Sequence, residues 1–260
     1  MQRLHRDGVD LAYVDEGSGD PPLLFVHGWT CNHTYFQPQC EHFAPRQRVV
    51  AVDLRGHGES DKPEQEYTLE GFADDLAWLC ERLDLRRPIV VGHSMGGAVV
   101  LVLAQRHPHV PGAIVMVDSV AVMQENAAEI TRPLVEALYS PVYREAQRSM
   151  IESMLFEPTD EPAVRERIVR EMTASLQYVT ASSFKNLVAY DLADAARACR
   201  VPVLNVVGAR PLQDVARTRA LIPHLVHGQV VGAGHFLQLL VPEQLNAMIE
   251  RFLHLYVPLS

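Results

Sequence analysis

The chain has 260 residues, 48% hydrophobic and 21% charged, which is globular composition with room for one large core and an elaboration on it. Its 32 acidic residues against 23 basic ones give a net charge of −9, which argues against a nucleic-acid partner. No apolar run reaches the roughly 18 residues a membrane span needs and Met1 to Gly8 carry no apolar signal core, so no membrane association and a cytoplasmic location are expected.

In chain order, Val9 to Glu16 alternates as a half-exposed strand does, and Gly17 to Pro22 makes a turn. Leu23 to Val26 is a continuous apolar run of the kind a strand covered on both faces shows, ending at His27-Gly28-Trp29. A short helix over about 35–43 leads to a second buried strand, Val49 to Val52, followed by a glycine-punctuated loop, Asp53 to Ser60. Leu69, Phe72, Ala73, Leu76, Leu79 and Leu83 fall on one helical stripe, with Thr68 as N-cap. The next strand is Ile89 to Val91, and Ala113 to Val117 is another, stopping at Asp118. Strands alternating with helices at this rhythm predict an α/β fold with a mostly parallel sheet covered on both faces.

Beyond Asp118 the pattern changes. Helical segments separated by Pro133, Pro141, Pro158 and Pro162 fill the chain to about residue 200, so residues 119–200 are expected to form a helical cap. Residues 1–118 and 201–260 are expected to form the core. Val203 to Gly208 resumes the sheet, residues 229–231 are expected to add a last strand, and Pro242 to Leu253 a closing helix.

Between Val91 and Ala98 lies Gly92-His93-Ser94-Met95-Gly96, a G-x-S-x-G turn joining strand to helix at once. Small residues on both sides of Ser94 let strand and helix pass closely, and the turn holds the serine hydroxyl at a strained tip beside a helix N-terminus. No Lys-Ser or Lys-Thr follows, so a phosphate-binding loop is not indicated. Cys31, Cys40, Cys80 and Cys199 have neither C-x-x-C nor metal-ligand spacing; free thiols, no metal and no cofactor are expected.

The ordered set His27-Gly28, Asp53-x-Arg55-Gly56-x-Gly58-x-Ser60, Gly92-His93-Ser94-Met95-Gly96-Gly97 and Gly232-x-Gly234-His235-Phe236 resembles the α/β-hydrolase superfamily. The likeness is to its short single-domain esterases, enol-lactonases and cofactor-free perhydrolases. It implies an eight-stranded sheet, a cap between strands six and seven, and a triad in the order nucleophile, acid, histidine. Ser94 maps onto the nucleophile and His235 onto the histidine. The backbone NH groups of Met95 and Trp29 map onto the oxyanion hole.

The acid departs from the pattern, because the usual position after strand seven is Pro211. Asp118, ending strand six, is favoured; Asp214 is the alternative, although an aspartate before residues 215–221 also reads as a helix N-cap. Asp53 and Arg55 are expected to brace loops, and His93 to pack. His27, Cys31, Tyr139, Tyr143 and Phe236 are pocket candidates, with Met150, Met154, Phe156, Tyr178 and Phe184 as further cap walls. The implied function is a serine hydrolase of small carboxylic esters or lactones, with no cofactor. A perhydrolase using the same acyl-serine and a receptor-like binder with little turnover are the alternatives.

Overall fold

In the computed structural model, residues 1–119, 122–123 and 126–257 are described. Strands β1 (Gln2–Arg6), β2 (Val9–Glu16), β3 (Leu23–Val26), β4 (Val49–Val52), β5 (Ile89–His93), β6 (Ala113–Val117), β7 (Val203–Val207) and β8 (Val226–Gln229) form one sheet in the order β1-β2-β4-β3-β5-β6-β7-β8. The β1–β2 and β2–β4 pairings are antiparallel and all later ones parallel.

The strands β3 to β7 are buried along their length because both faces are covered. Alternate residues enter different cores. Leu24, Val26 and Val90 join the larger cluster with helices α2 (Leu69–Arg82) and α3 (Met95–Arg106). Leu23, Phe25 and Val91 join the smaller one with α1 (Gln37–Phe43) and α11 (Pro242–Tyr256). Thr68 caps α2, its side chain accepting the Gly71 N–H.

Among the described residues, five helices lie between β6 and β7 in the chain: α4 (Ala127–Leu138), α5 (Tyr143–Met154), α6 (Pro162–Thr173), α7 (Gln177–Ala189) and α8 (Ala193–Ala198). Positions 120, 121, 124 and 125 of the expected cap, and 258–260 of the expected core, fall outside the described residues. Pro133 lies inside α4 rather than separating helices. It sits on the exposed face, where the carbonyl it leaves unbonded can turn to water. After β7 come α9 (Val215–Leu221) and α10 (Leu237–Leu240).

Two strands differ from the sequence reading. The last one is Val226–Gln229, not 229–231; Val231 is 78% exposed and has left the sheet. An edge strand reading Val-His-Gly-Gln has no apolar run to mark it. At the other end β1 was not anticipated, since its Gln-Arg-Leu-His-Arg is mostly exposed. Its signal was the Asp7-Gly8 pair, both at positive φ (49° and 79°), a two-residue hairpin turn joining β1 to β2.

Candidate active site

Ser94 is the sole residue between β5 and α3, at φ 53° and ψ −117°. A non-glycine residue there is strained, and it is held from several sides. Its N–H donates to Val117 O of β6 at 3.0 Å, and its carbonyl accepts Gly97 N–H at 3.0 Å and Ser119 Oγ at 3.2 Å. Ser94 is 9% exposed and faces a cavity. Met95, the first residue of α3, contributes one of the initial NH groups that have no acceptor within the helix.

His235 arrives at the same cavity from the loop after β8. Its Nδ1–H donates to Asp118 Oδ2 at 2.7 Å, and both residues are buried. Asp118 follows β6 at φ 39°, with its N–H on Val206 O at 2.7 Å. Its other oxygen, Oδ1, accepts the Gly208 N–H at 2.8 Å, so the end of β7 orients a carboxylate carried by β6. Asp214 takes a different place: it is the N-cap of α9, accepting Arg217 N–H at 2.9 Å.

The segment between α5 and α6 holds the His235 loop by its backbone. His235 N–H donates to Leu155 O at 3.1 Å, and Gly234 N–H to Asp160 Oδ1 at 3.0 Å; Asp160 Oδ2 accepts Glu157 N–H at 2.8 Å. A Cβ on Gly234 would lie 2.6 Å from Asp160 Oδ2, so this contact needs glycine. From the core side, His93 Nε2–H donates to His235 O at 3.0 Å, its ring 4.7 Å from that of His235. His93 therefore supports the histidine loop as well as packing. Asp160 had no sequence signal, being one carboxylate among many in a helical region.

His27 is buried and lies off the cavity rather than lining it. Its Nδ1–H donates to Gly28 O at 2.8 Å and its Nε2 accepts Leu54 N–H at 3.0 Å, tying the loops after β3 and β4 together. These two bonds require a neutral imidazole. Asp53 and Arg55 brace the same region. Asp53 accepts from His33 N–H and Glu59 N–H, while Arg55 forms a two-point pair with Asp75 at 2.9 and 2.8 Å. Burial opposes the Asp53 charge, but the His33 bond, the Glu59 N–H and neighbouring histidines hold its pKa below the usual value.

Burial pushes His27, His57 and His93 below the ordinary histidine value, His57 to about 3, and charge on neighbouring imidazoles adds to the shift in each. An unfolded chain protonates them near pH ~6.5, while the folded chain resists. Their stabilising effect is thus complete above that pH and is lost as pH falls, each contributing up to about 1.4 kcal/mol per pH unit. We expect urea midpoints to decline from about pH 7 to about pH 5, ahead of carboxylate titration; a flat profile there contradicts this.

Trp29, Cys31 and Phe236 line the cavity with Ser94 and His235, and so do Met150, Met154 and Phe184. Tyr139 and Tyr143 do not. Tyr139 follows α4 and is 50% exposed; Tyr143 starts α5 beneath the Arg144 guanidinium, on the same helical stripe as Met150 and Met154 but two turns before Met150. Phe156 and Tyr178 also lie off it, Phe156 against Phe236 and Tyr178 with its hydroxyl on Lys62 O. Burial pushes the Cys31 thiol well up, which makes it a poor nucleophile.

Residues 21–242 match the family described as alpha/beta hydrolase fold. The chain belongs to the α/β-hydrolase family. Among α/β-hydrolases, 2-(acetamidomethylene)succinate hydrolase of Mesorhizobium japonicum is 30% identical over 269 residues, covering 97% of this chain and 94% of that protein. The 3-oxoadipate enol-lactonase 2 of Acinetobacter baylyi is 26% identical over 95% of this chain and 94% of its own length. The solved structure of a thermophilic esterase from Thermogutta terrifontis superposes with a TM-score of 0.87 at 27% identity, over 99% of this chain and all of that one. Among the described residues, no helix is long and apolar enough to cross a membrane.

Proposed function

We propose that this α/β-hydrolase is a serine hydrolase of small carboxylic esters or lactones, working through an acyl-serine at Ser94. The observation that carries the reading is the 2.7 Å bond between His235 Nδ1 and Asp118 Oδ2, beside a cavity that His235 shares with the strained Ser94. Relatives named as a hydrolase, an enol-lactonase and an esterase support the same chemistry.

With the Nδ1 proton held by Asp118, the basic nitrogen of His235 is Nε2. It takes the Ser94 proton as Oγ bonds to the acyl carbon, and the carbonyl π electrons move to oxygen. The NH groups of Met95 and Trp29 receive that oxyanion. Collapse expels the alcohol, protonated by His235, and water repeats the sequence to release the acid. Asp118 stays ionised throughout and stabilises the imidazolium.

A fluorophosphonate probe followed by peptide mass spectrometry tests this reading. Labelling is expected at Ser94 and is expected to disappear in His235→Ala. A folded protein that leaves Ser94 unmodified contradicts an acyl-serine.

A further inference from the structure

The cavity above Ser94 is about 250 Å³, slightly below the ~300–1,000 Å³ usual for ligand pockets, so it fits a small substrate group. The cap supplies most of its wall, with Met123, Leu134, Met150, Met172 and Leu187 facing Leu212 of the core. Ile130 and Met154 line it too, yet are 62% and 53% exposed, which marks them as its apolar mouth. Methionines adapt their shape to a guest without offering a strong hydrogen bond.

The side-chain donors on this wall already have partners within the protein; His93 Nδ1, which has none, can only accept while the ring proton is on Nε2. Thr131 Oγ1 donates to Ala127 O at 2.7 Å, and Trp29 Nε1 to Thr180 O at 3.0 Å. Cys31 Sγ lies 3.4 Å from Trp29 O, and the His93 Nε2 proton is on His235 O. Beyond the Ser94 and His235 machinery, no side-chain donor among the described residues of the wall is left for a guest. No lysine or arginine lines it either, and positions 120, 121, 124 and 125 hold Val, Ala, Gln and Glu. Arg217 lies in an adjoining depression behind Met123, Ala127 and Val188, with Nη1 directed at Met123 O.

We infer that this cavity takes an uncharged, apolar acyl or alcohol group and turns away substrates that carry a second, ionised group on that side. The chemistry of this inference rests on the acyl-serine reading, but the selectivity rests on the walls alone. A carboxylate carried into the cavity loses its water and meets neither a cation nor a free side-chain donor among the described residues of the wall.

Two esters of equal length separate the cases: p-nitrophenyl hexanoate, and the mono-p-nitrophenyl ester of adipic acid, which differs by a terminal carboxylate. Above pH ~6, where that group is ionised, kcat/KM is expected to favour the neutral ester by about a hundredfold or more. Calorimetric binding of both esters to Ser94→Ala reads the walls without turnover, and the same order is expected. Equal or tighter binding of the acidic ester, by contact with Arg217 or otherwise, overturns the inference. Failure of Ser94 to take the fluorophosphonate would remove the acyl-serine reading, while the binding ratio would still decide selectivity.

Discussion

Asp118→Asn is expected to lower kcat by about 10³ to 10⁴, the loss seen when a triad aspartate becomes an amide. The fold should persist, because the asparagine carbonyl can still accept the Gly208 N–H that now bonds Oδ1. The amide NH₂ then faces His235 Nδ1, where Oδ2 accepts today at 2.7 Å. A donor there favours the tautomer with its proton on Nε2, and such an imidazole cannot take a proton from Ser94. Asp214→Asn is the matched comparison. Asparagine caps helices as well as aspartate does, so the Arg217 N–H keeps its acceptor and kcat should stay within about twofold. Steady-state kinetics on both variants, with near-ultraviolet circular dichroism as the folding check, decides the matter; the reverse ranking would remove Asp118 from the mechanism.

The proposed acid also shows how far a sequence carries. Pro211, at the usual position, displaced attention to Asp118, but nothing local showed that Gly208 would orient the carboxylate from the end of β7. That bond spans 90 positions and exists only because β6 and β7 are adjacent. Strands covered on both faces, such as Val49–Val52 and Ala113–Val117, were legible to the residue because burial demands an unbroken apolar run. The edge strands β1 and β8 lack that demand, and one was missed and the other shifted. Between β6 and β7, helical periodicity showed that helices form but not which part of each meets the cavity. Met150 and Met154 line it, while Tyr143, two turns before Met150 on the same stripe, and Tyr139 do not. His27 failed as a pocket residue for a related reason: the end of a buried strand puts a side chain at the rim, and two backbone partners then draw it inward.

Gly96→Ala is expected to lower kcat at least about 100-fold, the effect of losing an oxyanion donor, and to lower Tm as well. The cause is a close crossing of backbones. A Cβ on Gly96 would stand 2.3 Å from Val26 O and 2.5 Å from His27 O, and neither carbonyl can yield as a side chain would. Both belong to the segment that leads from β3 to Trp29. Relieving the overlap moves this segment away from α3, and with it the Trp29 N–H from the Met95 N–H, so the two proposed donors no longer converge on one oxygen. Overpacking of this kind costs about 1–3 kcal/mol even where side chains can adjust, and rigid neighbours raise that cost. Gly228→Ala is the control, since its Cβ would meet only the flexible Met248 side chain at 3.3 Å or beyond. Differential scanning calorimetry and a burst titration of acylated Ser94 separate unfolding from a damaged site. If Gly96→Ala matches the parent in both Tm and kcat, the crossing does not control the donors, and Trp29 loses its assigned part in the reaction.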